Sequence, residues 1–441
     1  MYLKKLSAAL LFAALAAPAF SQVQNPSVRI VLPEKTRLLQ GQFVDLVVEV
    51  RNATAVSGFS AIATNLDLTS RFSAATKAEL DCDTTSDWVY RANLQSFNQG
   101  TVQLTVRLSA DGQQISDTRI IQVRPFDQPQ RRNIILFIGD AMGTAYRDAG
   151  RLVAKSILDA NGKSSFREGL FDNLQEMDKM PVSGMSMTYG TDAIVPDSAN
   201  TGSAWATGNK TFSGAVNVIE DGTDCKWRFN GQQNATTLPF MLDNPRIENL
   251  WQYLKRLYGY RTGIVSTAAI TDATPAVEGA YSAYRQARLE IARQYLENPM
   301  LGNTPAFDVI LGGGTDPFTR AGRADKRDLV GEFQAQGFRY VTNATQLKSI
   351  TGSAPLLGLF KGNTSPATSS NGIATGDVNM DVAYDKLGLQ RPASEPNPVF
   401  GAFTDQPMLD LMTQKAIEVL SGTGQNYILM VEAASIDKQS H

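Results

Sequence analysis

Two patterns of hydrophobic and polar positions divide the chain. From about Val23 to Val123 the residues alternate in short runs, as in Phe43-Val44-Asp45-Leu46-Val47-Val48-Glu49-Val50 and Thr101-Val102-Gln103-Leu104-Thr105-Val106-Arg107-Leu108. A period of two sends one side of each strand to a core and the other to solvent, and Gly, Asn and Asp turns separate the runs. This predicts an antiparallel, Ig-like β-sandwich over residues 22–124, with a spacer or docking role. Pro125-Phe126-Asp127-Gln128-Pro129-Gln130-Arg131-Arg132 reads as a linker.

After Asn133 continuous apolar runs alternate with helical patterns. The runs are Ile134–Ile138, Gly263–Ser266, Val309–Leu311 and Tyr427–Val431; the helical stretches include Ile247–Tyr258, Tyr284–Leu296 and Met408–Leu420. A strand that is apolar at every position is covered on both faces. Residues 133–441 are therefore expected to form an α/β domain with a mostly parallel sheet and helices on both faces. Residues 352–398, rich in Gly, Ser, Asn and Pro, read as a surface excursion near the site.

The N-terminus adds a location. Lys4 and Lys5 precede an apolar run from Leu6 to Phe20, and Ala17, Ala19 and Ser21 supply a small-residue cleavage pattern. Residues 1–21 are expected to be a signal peptide, and the protein to be exported, periplasmic or secreted. The run is short for a membrane span, and none is expected after its removal. Export permits a disulfide, and Cys82 and Cys225 are left as either paired or free.

Composition narrows the chemistry. Of 441 residues, 43% are hydrophobic and 19% charged, which excludes wholesale disorder. Lysine and arginine number 41 against 43 acids, a formal charge of −2, so no basic excess steers the chain to nucleic acid. The single histidine is His441, the last residue given. A Ser-His-Asp or Cys-His mechanism would have to depend on it.

Ligands of open α/β sheets bind beyond the carboxyl ends of the strands. Two strands end there on acids, Asp140 and Glu432. A buried carboxylate is costly unless paired or coordinated. Asp437 and His441, four residues apart, would share one helix face as a metal pair does. Ser198, in Pro196-Asp197-Ser198-Ala199-Asn200-Thr201-Gly202, stands where Asp197 or Ser198 would cap a helix of small residues. The same geometry offers an anion site at a helix N-terminus. Without a histidine base, the serine would need activation by metal.

Five ordered blocks make residues 133–441 resemble the alkaline phosphatase family, especially its bacterial periplasmic type. They are Gly139-Asp140-Ala141-Met142-Gly143, Asp197-Ser198-Ala199, Asp272-Ala273-Thr274-Pro275-Ala276, Asp308-Val309-Ile310-Leu311-Gly312-Gly313-Gly314, and Val431-Glu432-Ala433-Ala434-Ser435-Ile436-Asp437-Lys438-Gln439-Ser440-His441. The resemblance implies hydrolysis of small phosphate monoesters through a phosphoseryl intermediate, with two zinc ions and one magnesium per site, and by analogy a homodimer. It makes Ser198 the nucleophile and a zinc ligand, and Arg285 the phosphate-gripping arginine. Asp140 bridges a zinc and the magnesium, Thr274 and Glu432 complete the magnesium set, and Asp437 and His441 bind the second zinc. Asp272 and Lys438 support a magnesium-bound water and the phosphate, while Asp197 supports the nucleophile's turn. Read without the family, Arg285 in Tyr284-Arg285-Gln286-Ala287-Arg288 would be an ordinary exposed helical arginine.

The chain departs from that pattern in two ways. Ala141 replaces a frequent glycine, where a methyl crowds the metal or shifts the turn. The family also places an Asp-His pair and another histidine beyond His441. The resemblance therefore implies an incomplete copy, missing two ligands of the first zinc, one of the second and the last strands of the sheet, and nearly inactive by itself. Two other functions stay open: a related phosphodiesterase or sulfatase-like hydrolase, and a non-catalytic surface protein on a phosphatase-like scaffold.

Overall fold

The computed structural model describes residues 25–81, 83, 85–126, 132–154, 157–158, 164–165, 174–224, 243–360 and 405–438. The N-terminal strands are β1 (Ser27–Ile30), β2 (Thr36–Leu39), β3 (Val44–Arg51), β4 (Val56–Ala63), β5 (Leu66–Asp67), β6 (Thr76–Ala78), β7 (Asp87–Gln95), β8 (Gly100–Ala110) and β9 (Gln113–Arg124). They form one sheet in the order β1-β3-β7-β6 and a second in the order β2-β9-β8-β4-β5. A single core lies between them, built from the inward positions of β3, β7, β8 and β9. The long β8–β9 hairpin turns on Asp111-Gly112, both at positive φ (47° and 80°), which suits the right-handed twist of the strands.

The sandwich departs from the sequence reading twice. Strand β2 runs parallel to β9, so the second sheet is mixed rather than wholly antiparallel. The polar face of β3 is also not in solvent: Asp45 and Glu49 are 3% and 1% exposed. Arg246 Nε donates to Asp45 Oδ2 at 2.6 Å, and the Gly222 amide donates to Glu49 Oε1 at 2.6 Å. Alternation identified the polar face, but residues from the C-terminal part of the chain cover it.

The C-terminal part contains β10 (Ile134–Gly139), α1 (Thr144–Ala154), β11 (Ile157–Leu158), β12 (Ser164–Ser165), α2 (Ser198–Thr207), α3 (Leu250–Tyr258), β13 (Arg261–Ala269), α4 (Ala273–Ala276) and α5 (Arg288–Leu296). There follow β14 (Val309–Gly313), α6 (Leu329–Ala335), β15 (Arg339–Val341), α7 (Ala344–Ser349), β16 (Leu356–Leu359), α8 (Leu409–Ser421), β17 (Tyr427–Ala433) and α9 (Ser435–Lys438). Six strands make a fully parallel sheet in the order β10-β17-β13-β14-β16-β15. Successive residues of β17 serve opposite faces. Ile428 and Met430 join the core that includes Tyr253 of α3 and Ile291 of α5, while Leu429 and Val431 pack with Met412 and Val419 of α8. Both faces being covered is why this strand reads as an unbroken apolar run; full burial of one such side chain contributes about 2 kcal/mol.

Element boundaries shift for identifiable reasons. Helix α3 begins at Leu250 rather than Ile247, because Ile247 bridges Val44 of the sandwich and Asn249 caps the helix by accepting from the Gln252 amide. Leu356–Leu359, inside the stretch read as a surface excursion, is the buried strand β16 between β14 and β15. The remainder, residues 361–404, lies outside the described residues, as do most of the linker and the signal segment. Among the described residues β10 pairs only with β17, and Phe137 is 62% exposed, so this strand is an edge and not the buried strand expected. No helix among the described residues is long and apolar enough to cross a membrane.

Candidate active site

The site assembles at the carboxyl ends of β10, β17 and β13. β10 ends at Gly139 and delivers Asp140, and β17 carries Glu432 near its end. Ser198 opens α2, behind the N-cap Asp197, whose Oδ1 accepts from the Asn200 amide at 3.1 Å. The helix is made of small residues so that it can lie close: a Cβ on Gly202 would stand 2.8 Å from Val277. This packing brings the Ser198 hydroxyl 3.4 Å from Asp140 Oδ1, to which it donates.

Asp272 caps α4, accepting from the Ala273 amide at 2.8 Å, and Thr274 lies within that helix, 2% exposed. Arg285 is not a helical surface residue, as α5 starts only at Arg288. Its backbone amide is tied to the Gly214 carbonyl at 2.8 Å, and its guanidinium donates to Asp272 Oδ1 at 2.9 Å and Asp197 Oδ2 at 3.1 Å. Burial alone would lower this guanidinium, but the two carboxylates outweigh it and hold it above its ordinary value.

Glu432 is 2% exposed. Burial pushes its carboxyl up to about 8; the Ser266 hydroxyl pulls the other way, and the charges of Asp140 and Asp272 add to the rise. Thr274 also hydrogen-bonds this carboxyl. Asp140, Ser198, Thr274, Arg285 and Glu432, scattered over nearly three hundred positions, are thus linked through one network. Asp437 sits on α9, which follows β17 and is tethered by the Ser435 amide donating to Thr267 Oγ1 at 3.2 Å. Lys438 ends that helix. His441 lies outside the described residues, as do Cys82 and Cys225.

Three neighbours escaped the sequence reading. Ser266 Oγ donates to Glu432 Oε2 at 2.5 Å, from the facing position of the parallel β13–β17 pair. A hydroxyl at the carboxyl end of an apolar strand was its only signal. Glu278 is fully buried, accepts from Trp205 Nε1 at 3.0 Å, and is raised well above the carboxylate range by burial, with Glu432 adding to it. No pattern in the sequence marked it. Thr267, the tether of α9, was likewise unmarked.

The donor set bears on which cation fits. Asp140, Thr274 and Glu432 offer only oxygen, and an acid as buried as Glu432, beside two others, gains from a divalent counter-charge; both features suit magnesium. Zinc favours nitrogen and sulfur, yet the described residues offer Asp140, Ser198 and Asp437 oxygens. The one imidazole of the chain lies beyond them.

The family model for alkaline phosphatase matches residues 131–441. The chain belongs to the alkaline phosphatase family. It is 32% identical over 336 residues to alkaline phosphatase H of Pseudomonas aeruginosa, an alignment covering 70% of this chain and 61% of that protein. It is also 32% identical over 340 residues to the alkaline phosphatase of Escherichia coli, covering 71% and 62%. Streptomycin-6-phosphate phosphatase of Streptomyces griseus is 30% identical over 331 residues, covering 70% and 64%. The chain thus spans about three-fifths of the length of these curated relatives. The family match starts at residue 131, so the sandwich stands outside this alkaline phosphatase region although it packs against it.

Proposed function

We propose that this protein is an exported hydrolase of phosphate monoesters, working through a phosphoseryl intermediate on Ser198. One observation carries the reading: a helix-initial serine of an alkaline phosphatase family chain donates its hydroxyl to Asp140, beside the buried Glu432 and the doubly paired Arg285. Asp140, Thr274 and Glu432 would hold magnesium, and Asp140, Ser198, Asp437 and His441 would serve two zinc ions. When bound, these cations supply the positive charge that ionises an alcohol and offsets phosphoryl oxygens.

The chain's own groups divide the remaining work. Asp140 accepts the hydrogen bond that orients Oγ of Ser198, and the N-terminal turn of α2 favours the anionic group arriving there. Arg285, held by Asp197 and Asp272, positions the phosphate oxygens. Ser198 Oγ attacks phosphorus as the ester oxygen leaves with its electron pair and takes up a proton as the free alcohol. Water then attacks the seryl phosphate, the P–Oγ bond breaks, and inorganic phosphate departs with Ser198 reprotonated.

The test is acid-quench labelling with a phosphorus-labelled monoester in the presence of zinc and magnesium. Label is expected on Ser198 of the full-length protein that contains this chain and none on its Ser198→Ala variant. Label persisting in the Ala variant, or found on another residue, would overturn the assignment.

A further inference from the structure

Asn200, Gly214 and Arg285 all meet at the carboxylate of Asp197. Its Oδ1 accepts from the Asn200 amide at 3.1 Å and from the Gly214 amide at 3.2 Å, and its Oδ2 accepts from Arg285 Nη1 at 3.1 Å. Gly214 also holds the arginine by the other end of its backbone, its carbonyl accepting from the Arg285 amide at 2.8 Å. One glycine thus ties the residue that caps the nucleophile's helix to the arginine. Its φ is 85°, and a Cβ there would meet nothing nearer than Tyr284 Cδ2 at 4.0 Å. Backbone conformation, not space, calls for glycine at this position.

A different segment holds Gly214 in that orientation. The turn 190–193, closed by the Gly190 amide donating to the Ala193 carbonyl at 2.9 Å, presents the exposed Asp192. Asp192 Oδ1 accepts from the Ser213 amide at 3.0 Å and from the Ser213 hydroxyl at 3.2 Å. An ionised acceptor makes these bonds stronger than a neutral oxygen would. They fix residue 213, and the peptide that follows it is the one whose N–H reaches Asp197. The same turn lies against the start of α2, since a Cβ on Gly190 would overlap Asn200 Nδ2. Backbone bonds attach it independently of the carboxylate: the Thr191 amide donates to the Thr211 carbonyl at 3.0 Å, and Lys210 Nζ donates to the Tyr189 carbonyl at 2.5 Å. Losing the Asp192 carboxylate would therefore loosen Ser213 without detaching the turn.

We propose that Asp192 is a positioning residue for phosphate binding: through Ser213 it orients Gly214, and Gly214 sets the spacing of Asp197 and Arg285. The proposal rests on the reading that Arg285 grips phosphate.

Inorganic phosphate is the probe, titrated calorimetrically into the full-length protein that contains this chain, carrying Ser198→Ala and loaded with zinc and magnesium. Binding is then read without turnover, so the serine assignment and the positioning role are tested separately. Asp192→Ala should weaken phosphate binding roughly three- to tenfold, the order of one lost hydrogen bond. Asp192→Asn, which retains an accepting oxygen, should recover most of that loss. Ser213→Ala should show part of it and add nothing to Asp192→Ala, because the two act along one path. In an Arg285→Ala background, Asp192→Ala should change the affinity less than about twofold, since the group it positions is gone. With Ser198 intact, the loss should appear in KM for a phosphate monoester, with kcat changed less than about twofold. A merely structural role would instead lower kcat through fewer active molecules and leave KM alone. An affinity unchanged in Asp192→Ala, or weakened equally with and without Arg285, would overturn the proposal. No phosphate binding with Asp192 intact would remove the reading of Arg285, and the proposal with it.

Discussion

Asp197 and Arg285 meet at 3.1 Å between Oδ2 and Nη1, while the other oxygen of the same carboxylate caps α2. One side chain therefore sets both the start of the nucleophile's helix and the position of the guanidinium beside it. Asp197→Ala should cost about 1–2 kcal/mol in thermal unfolding through the lost cap, and Asp197→Asn, which retains a cap, markedly less. If Arg285 grips phosphate as proposed, both variants should raise KM for a phosphate monoester more than they lower kcat.

Ala141, next to Asp140, adopts φ of 50°, the left-handed region that strains a residue bearing a Cβ. The methyl therefore strains the turn that delivers Asp140. Relief of roughly 1–2 kcal/mol, offset in part by the larger unfolded-state entropy of glycine, leaves Ala141→Gly more stable by about 0.5–1 kcal/mol. A denaturant midpoint unchanged or lowered would contradict this.

The ion pair between Asp45 and Arg246 joins the two parts of the chain, and Asp45 also accepts from the Leu94 amide at 2.9 Å. Its side chain is 5% exposed against 21% for Arg246. Arg246→Ala leaves that buried carboxylate without its counter-charge and should cost about 3 kcal/mol in chemical denaturation. A loss under 1 kcal/mol would mean that the sandwich docks without this pair.

A second acidic group lies at the same junction. Burial, with Asp221 adding to it, pushes Asp224 up to about 8, and burial pushes Asp243 up to about 7, again with help from Asp221. Raised carboxyl pKa values favour the protonated form in the folded state. Their stabilisation is complete below pH 4 and is lost as pH rises through 7 and 8. The melting temperature should thus fall from pH 5 to pH 9. Asp224→Asn should flatten the fall, and an equal slope in both proteins would remove Asp224 as its source.

Some of this was legible in the residues alone. Period-two runs such as Thr101–Leu108 mark a half-buried strand, and unbroken runs such as Tyr427–Val431 a strand covered on both faces, because side-chain direction follows directly from backbone repeat. Asp140 and Glu432 stood out as acids ending apolar strands, and Ser198 as the start of a helix of small residues. The five blocks carried the family.

Other features were decided only by the folded chain. Alternation shows that Asp45 and Glu49 share a face but not that Arg246 and Gly222 cover it. Leu356–Leu359 is too short an apolar run to stand out among Gly, Ser and Pro until β14 and β15 flank it. Ser266 showed only as a hydroxyl ending an apolar strand, because its role comes from facing Glu432 across the β13–β17 pair, 166 residues away. Arg285 looked like a helical surface residue until Asp197 and Asp272 were brought to it. Local sequence sets which way a side chain points, since that is a property of its own backbone. What it meets there depends on contacts closed across long loops, and those form only when the whole core packs.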